Sequence, residues 1–477
     1  MPDFASLNII SIMPMIVVLL GAILILILDL ILGRFYQGIY IALSVIAIAL
    51  SLFVLIDSSW ESGFFGFVEI DGISKIAQFI ILATSIFFVC LIKGDYKEFS
   101  YAEFYALFLF IIAGYQFMVS SDNLMLIFIA LEASSLALYA MIALNRSDKG
   151  LEGALKYFTL GAFSSGFFAF GLVFIYASVG SLDIGDLSLV IKNYGDYDSS
   201  YPYFLLLGFV FLLGALGFKL SFFPFHSWVP DVYEASNPPL AFYMSIATKI
   251  AAFIVAIRIF SGFLELDSVK IVLFIVIMLT TTIPNIIALL QSDVQRMLAY
   301  SSISQAGFGL ACIYVNTPDS IISLFLYWIL FLFSNLGAFG LLWLTHTKDS
   351  ASPYVKFSGL IKTSPLIAIS FAIFMLSLGG IPPFGLFWGK VFVISSAINA
   401  EHIALALILL LNSGIAIFYY IKLIIFMFLK EPTTPTIPTA NANPAIIAII
   451  AISAIICVVS MLSLGKIIAV LERFAGF

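Results

Sequence analysis

Charged residues are scarce in this chain of 477 residues: 10% are Asp, Glu, Lys or Arg, while 62% are hydrophobic. An ordinary soluble domain carries roughly 25% charged residues, so a soluble fold could not hide this much apolar surface. In lipid, backbone groups must pair within helices or a closed barrel. The apolar runs are continuous over about 20 residues, as in Met13–Leu32, which favours helices over the alternating strands of a barrel.

Cysteine and histidine are also scarce, with three of each. Neither set has the C-x-x-C or His spacing of an iron-sulfur cluster, a zinc site or a disulfide framework; they are Cys90, Cys312, Cys457, His226, His346 and His402. Walker A and dinucleotide-binding motifs are missing, and the net charge of −6 offers no basic patch for nucleic acid. We therefore expect no redox, hydrolytic or metal centre in this chain.

What is present predicts an all-α polytopic membrane protein. No basic signal-peptide region precedes the first apolar segment, so that segment is expected to remain as a helix. Apolar runs between breaks predict about fourteen transmembrane helices. They are expected near 8–32, 39–56, 72–93, 101–120, 122–144, 153–179, 203–229, 235–262, 268–290, 295–315, 317–346, 365–400, 402–430 and 444–471.

Basic residues fall in alternate connections, which the positive-inside rule assigns to the cytoplasm. They are Arg34, Lys93, Lys97, Arg146, Lys149, Arg296, Lys348, Lys356, Lys362 and Lys430. The opposite connections are acidic, with Asp57, Glu61, Asp71, Asp183, Asp186, Asp196 and Asp198. Both termini are then expected on the periplasmic side. The longest connections, Gly180–Tyr201 and Glu431–Pro444, are predicted to be surface loops.

Two long segments contain internal prolines. Pro224 would leave the Leu220 carbonyl without its helical donor, and Pro382 and Pro383 would do the same to Leu378 and Gly379. Interrupted helices in corresponding positions of two halves are typical of an inverted-repeat transporter. We predict three N-terminal helices in 1–100, a first five-helix repeat in 101–262, a second in 263–430, and a last helix in 431–477.

Five ionisable residues lie inside apolar runs. They are Glu132, Lys156, Lys219, Lys249 and Lys390. Each costs about 2.5–3.5 kcal/mol at a helix centre unless it faces the bundle interior, pairs, or lines a hydrated cavity. Burial disfavours the charged form of lysine, so such a residue can release its proton, and the set predicts a proton relay.

A structural alternative stays open, because buried polar groups also hold membrane helices together. Four lysines against one glutamate leave excess positive charge, which favours titration over static pairing. Lys156 is the weakest member, since it lies near a helix end where it could snorkel. His226 beside the first break is a candidate proton uptake point, or a loop residue that caps nearby backbone.

Three motifs in order resemble the proton-translocating membrane subunits shared by respiratory complex I and multisubunit cation/proton antiporters. They are Lys219–Glu234 (KLSFFPFHSWVPDVYE), Arg296 with Ala299–Ser304 (AYSSIS), and Gly380–Pro383 (GIPP). The resemblance covers nearly the whole chain. It implies a fifth-helix Glu132 beside Lys219, a sixth-helix Lys156, a connecting Lys249 and a terminal Lys390, and lysine at the last position is similar to the subunit N type of complex I rather than to the M type.

The resemblance implies a non-redox subunit that couples electron transfer to quinone with proton pumping in a bacterial inner membrane. Partners would include a neighbouring M-type subunit and small subunits such as K. NADH or another donor, flavin, iron-sulfur clusters and quinone would be bound by partner subunits. One departure is Gln305, which stands where family members often carry a histidine. The alternatives are a subunit of a Na+(K+)/H+ antiporter and a scaffold whose buried charges only fix helix register.

Overall fold

A computed structural model describes residues 7–33, 36–57, 61–92, 96–192, 201–346, 352–432 and 443–476. Three transmembrane helices come first. They are α1 (Met13–Leu32), α2 (Gln37–Asp57) and α3 (Gly72–Leu91). Between α2 and α3, β1 (Glu61–Gly63) and β2 (Val68–Ile70) form an antiparallel hairpin that pairs Glu61 with Ile70. The sequence analysis did not predict this hairpin, whose strands are only three residues long.

Two sets of five crossings follow, and the fourth crossing of each set is a broken helix. The first set comprises α4 (Ala102–Ser120), α5 (Leu124–Ala143), α6 (Asp148–Val179), the short α7 (Ile184–Lys192), the broken pair α8 (Tyr201–Leu220) and α9 (Trp228–Ala235), and α10 (Pro238–Phe263). The second set comprises α11 (Asp267–Leu290), α12 (Val294–Val315), α13 (Pro318–Leu344), the short α14 (Leu360–Thr363), the broken pair α15 (Pro365–Gly379) and α16 (Gly385–Asn399), and α17 (Ile403–Leu429). The last helix is α18 (Pro444–Ala475).

The helix count confirms the predicted fold class. Thirteen helices of the described ranges are long and apolar enough to cross a membrane, and α15 with α16 supplies one more crossing in two halves of 15 residues each. The two five-crossing sets begin five crossings apart, so they start on opposite sides of the membrane. An even number of crossings also returns the chain to the side where it began.

One predicted loop contains a helix. The acidic stretch Gly180–Tyr201 holds α7, whose buried residues Ile184, Leu187 and Ile191 recur at helical spacing. The prediction of a plain loop was wrong because the acidic residues masked this short apolar stripe. Residues 193–200 of that stretch, with Asp196 and Asp198, lie outside the described residues, as do 433–442 of the Pro/Thr-rich connection.

Charged residues mark the two ends of the bundle. On one side Lys149 pairs with Glu234, and Lys362 pairs with Glu431. On the other side, Arg258 pairs with Asp71 at 2.9 Å. Arg34, Lys93 and Lys348 fall in parts of the chain that the structure does not describe. Helix α10 runs through the centre of the bundle, and its whole transmembrane window is buried.

Candidate functional site

Three of the predicted lysines lie in the interior of the bundle. Lys219 on α8 is 5% exposed, Lys249 on α10 is 1% exposed, and Lys390 on α16 is 3% exposed. Within the described ranges, none of the three has a carboxylate within 4.0 Å. Their contacts are hydroxyls, backbone carbonyls and aromatic rings. These groups can accept a hydrogen bond from the lysine ammonium group, but they carry no negative charge that would neutralise it.

Lys219 stands in the last turn before the first break, because α8 ends at Leu220. Its Nζ lies 2.5 Å from the Ser135 hydroxyl of α5. The rings of Tyr139 and Tyr157 lie 5.8 Å from the same nitrogen. Ring faces attract an ammonium group electrostatically, so this pocket accommodates the charged lysine without a direct counter-ion.

Glu132 does not pair directly with Lys219. Its carboxylate accepts a hydrogen bond from Ser165 of α6 and is half-buried. Ser135 lies three residues after Glu132 on α5, and residues three apart share a helix face. The resemblance implied that Glu132 stands beside Lys219. In the structure Glu132 lies one helical turn from Ser135, whose hydroxyl binds Lys219, and within the described residues no ion pair joins the carboxylate to that lysine.

Lys249 contacts the serine-rich motif of α12. Its Nζ lies 2.5 Å from the Ser302 carbonyl and 2.7 Å from the Ser302 hydroxyl. Ser301, Ser302 and Ser304 of the motif were expected to allow close helix packing, and Ser302 was not predicted as a site residue. The repeated serines of α12 could have indicated a partner for a buried cation, because small polar residues on one helix face can bind one. Which lysine they bind depends on how α10 and α12 pack.

Lys390 fills the second break. Its Nζ lies 3.2 Å from both the Leu378 and the Gly379 carbonyls, the two acceptors whose helical donors Pro382 and Pro383 remove. The predicted freed carbonyls are therefore bound by an ammonium group 11 and 12 residues further along the chain. The Phe308 ring lies 5.5 Å from Nζ on another side.

Gly380 makes room for this lysine. Its φ is +75°, and a Cβ atom there would lie 2.7 Å from Lys390 Cδ. A side chain at this position would therefore meet two obstacles, the left-handed backbone and the lysine stem.

Lys156 does not join the buried lysines. Its side chain is 43% exposed and pairs with Glu152 at 2.7 Å and with Asp231 at 3.0 Å. Arg296 binds Asp231 at 2.9 Å and Glu234 at 2.7 Å. With Lys149, which pairs with Glu234 at 3.6 Å, these residues form one ion-pair cluster of six that joins α6, α9 and α12 on the basic side of the bundle.

The positive charges of this cluster lower the pKa of Asp231. Burial raises the pKa of its carboxyl group, but hydrogen bonds from Lys156 and Arg296 and their positive charge outweigh that effect. The net result is a pKa below the usual 3.8, so Asp231 is ionised at neutral pH.

His226 lies in the connection between α8 and α9, at the first break. The ring is half-buried and lies 5.4 Å from the Phe223 ring. Its Nδ1 atom is buried without a hydrogen-bond partner in the described structure. In sequence, His226 comes seven residues after Lys219 and five residues before Asp231. It therefore lies along the chain between the buried lysine and the ion-pair cluster.

The side chain of Gln305 forms polar contacts near both Lys249 and Lys390. Gln305 of α12 accepts a hydrogen bond from the Tyr327 hydroxyl, and its amide nitrogen lies 3.4 Å from the Leu378 carbonyl and 3.4 Å from the Tyr420 hydroxyl. Gln305 was not predicted as a site residue, since an amide does not titrate, and it stood out only as a departure from the histidine that family members often carry. Tyr327 and Tyr420 were missed altogether, since a tyrosine in an apolar run carries no local sign of a polar partner.

Comparison with known proteins identifies related membrane subunits. A family model described as "NADH:quinone oxidoreductase/Mrp antiporter, TM" matches residues 121–416. NADH-quinone oxidoreductase subunit N of Sulfurimonas denitrificans is 49% identical over 446 residues, covering 90% of this chain and 88% of the relative. The same subunit of Campylobacter concisus is 46% identical, covering 90% and 88%.

Solved structures of membrane complexes contain chains with the same fold. A chain of respiratory complex I from Thermus thermophilus is 28% identical with a TM-score of 0.82, covering 96% of this chain and 99% of that one. A chain of the Mrp complex from Dietzia has a TM-score of 0.83 at 18% identity, covering 98% and 97%, which is a likeness of fold.

Proposed function

The chain belongs to the NADH:quinone oxidoreductase/Mrp antiporter family of membrane subunits, and from that premise we propose that it is the antiporter-like subunit N of a bacterial respiratory complex I. Relatives that bear this name are 44–49% identical over 90% of the chain in several bacteria. The subunit contributes proton translocation to an enzyme that transfers electrons to quinone.

The relay runs through the middle of the membrane from Glu132 to Lys219, Lys249 and Lys390. The observation that carries this proposal is the burial of three lysines without a carboxylate in contact with any of them, within the described residues. Permanent charges in such places are costly, and lysines that gain and lose protons avoid that cost for part of the cycle.

Glu132 acts as the switch. Its negative charge, one helical turn from the hydroxyl that binds Lys219, favours the ammonium form of that lysine. Quinone reduction in a partner subunit changes the charge near Glu132, and a weaker attraction lets Lys219 pass its proton toward Lys249. Lys390 is the last member of the chain and holds the proton against the carbonyls of the second break.

His226 and Lys156 have peripheral roles in this scheme. His226 takes up protons near the first break and hands them to Lys219. Lys156 acts within the ion-pair cluster, where Asp231 and Glu152 hold it on the basic side. The basic side faces the cytoplasm and both termini face the periplasm, as the positive-inside rule requires.

The remaining chemistry belongs to partners. This chain is a non-redox subunit, and NADH or another donor, flavin, iron-sulfur clusters and quinone bind elsewhere in the complex. The neighbouring membrane subunits are the M-type subunit and small subunits such as K. A Na+(K+)/H+ antiporter subunit would share the fold, but the curated relatives at 44–49% identity bear the name of the complex I subunit.

The test replaces Lys219 or Lys249 by Ala in the assembled complex and measures quinone reduction and acidification of inverted membrane vesicles. We expect both activities to fall in each variant, because the relay loses a proton-carrying group. Lys270→Ala is the matched control, since Lys270 is 43% exposed and pairs with Asp267 on α11. Retention of full pumping by both interior variants would refute the proposal, and loss in the control would show that any lysine change harms assembly.

A further inference from the structure

The second broken helix shares one of its freed carbonyls between two donors. Lys390 Nζ lies 3.2 Å from the Leu378 oxygen, and the Gln305 amide nitrogen lies 3.4 Å from the same oxygen. A carbonyl oxygen has two lone pairs and can accept both bonds. Each donor draws electron density from that oxygen, so a bond to Gln305 leaves a weaker acceptor for the ammonium group.

The orientation of the Gln305 amide is fixed by its surroundings. The Leu378 carbonyl can only accept, so the NH2 group must face it, and the amide oxygen then faces Tyr327. Tyr327 donates to that oxygen and thereby holds the amide in place. Gln305 is 2% exposed, so its side chain is shielded from bulk solvent.

The same amide group reaches toward Lys249. Its nitrogen lies 3.4 Å from the Tyr420 hydroxyl, and that hydroxyl is hydrogen-bonded to Ser301. The next residue on α12, Ser302, binds Lys249. One amide thus contacts the Lys390 site and connects through Tyr420 to Ser301, the residue beside Ser302, which binds Lys249.

We propose that Gln305 is a positioning residue of the relay, which competes with the Lys390 ammonium for the Leu378 carbonyl and so eases release of the proton from Lys390. This inference rests on the proposed function. The amide neither gains nor loses a proton during the step. One proton passes from the Lys390 nitrogen, the last group of the relay, to the water that the vesicles acidify, and the Leu378 carbonyl keeps its bond to Gln305 while the lysine is neutral.

The test replaces Gln305 by Leu, which has a similar size and no donor. The Leu378 carbonyl would then bind the ammonium group alone and hold the proton more tightly. We expect a lower rate of proton pumping at neutral pH and an alkaline shift of the pH profile by about half a unit to one unit, the size expected for one hydrogen bond. Pumping is measured in inverted membrane vesicles across a range of pH.

Two further variants make the result specific. Tyr327→Phe releases the amide oxygen without touching Lys390, and a smaller alkaline shift is expected; it also serves if Gln305→Leu does not assemble. Gln305→His keeps an N–H donor toward Leu378, so its profile should stay near that of the unaltered protein. A Gln305→His variant that pumps faster than the unaltered protein would contradict a positioning role, because the position would then need a titrating group.

Lys390→Ala separates this inference from the proposed function. If Lys390→Ala abolishes pumping while Gln305→Leu and Tyr327→Phe keep the original pH profile, the positioning role fails and the relay stands. If Lys390→Ala pumps normally, the relay itself fails, and the role of Gln305 fails with it.

Discussion

The two broken helices place their lysines on opposite sides of the break. In the first, Lys219 comes before the break and contacts side chains of other helices, the Ser135 hydroxyl and two tyrosine rings. In the second, Lys390 comes after the break and binds back to carbonyls of its own broken helix. The first lysine is therefore open to influence from a neighbouring carboxylate, whereas the second is part of the structure of its own break.

The two breaks are expected to differ most in heat stability when the lysine of each is replaced by Ala. Lys390→Ala would leave the Gly379 carbonyl without its donor and Leu378 with only the long bond from Gln305. A buried acceptor without a partner costs about 1–3 kcal/mol. Lys219→Ala leaves Ser135 with its other bond, to the Leu131 carbonyl. We expect both variants to lose pumping, and only Lys390→Ala to lower the temperature at which the purified complex disassembles.

Lys390→Arg is the matched control for that difference. Arginine can donate to both carbonyls but stays protonated, so heat stability should return while pumping does not. Equal heat stability of the two Ala variants would mean that the carbonyls of the second break do not depend on Lys390, and the contrast between the breaks would be lost.

A smaller difference is expected at the residues with positive φ. Gly380 in the second break has φ +75° and lies against Lys390, whereas Ser221 in the first break has φ +65° and a buried hydroxyl without a partner among the described residues. Gly380→Ala should cost about 1–2 kcal/mol in backbone strain and push the lysine from its carbonyls. Ser221→Ala loses no hydrogen bond and should be near neutral.

Heat-induced disassembly and pumping are measured for Gly380→Ala and for Ser221→Ala. The expected order is a clear loss of both for Gly380→Ala and values close to the unaltered protein for Ser221→Ala. A harmless Gly380→Ala would show that Lys390 has room to move, and that its contact with the two carbonyls is not required.

The difference between the breaks also shows what sequence can predict. Pro382 and Pro383 identify the carbonyls that lose their donors, because that loss follows from the i to i−4 pattern of a helix. The identity of the new donor is not local, since it depends on how α16 turns back after the break. The first break shows the same limit: the resemblance implied Glu132 beside Lys219, but the hydrogen-bond partner of the lysine is Ser135, one helical turn further along α5.

Exposed charges were the hardest to predict. Lys156 lies in an apolar run, yet it pairs with Asp231, which is 75 residues away in sequence. That pairing required α9 to return beside α6 after the first break, which no periodicity of either segment could show. The short apolar stripe of α7 and the three-residue strands of the hairpin were hidden for a different reason, because neither is long enough to stand out from its polar neighbours.

The smallest expected effect concerns the segment after the first break. Helix α16 carries a buried lysine, but α9 carries Asp231, half-buried in an ion-pair cluster. Its pKa is lowered in the folded protein, so its stabilising contribution is full above the unfolded value of 3.8 and is lost as pH falls through the lower folded value. Asp231→Asn should therefore cost about 1 kcal/mol or less at neutral pH.

The Asp231→Asn cost should shrink at high salt, because half-exposed ion pairs are screened. Heat-induced disassembly at low and high ionic strength measures it, and pumping should change little. The distinction between the two breaks depends on whether Asp231→Asn keeps its pumping activity. If Asp231→Asn kept its stability but lost pumping, the cluster on α9 would carry protons as Lys390 does on α16, and the first broken helix would hold a relay group on both sides of its break.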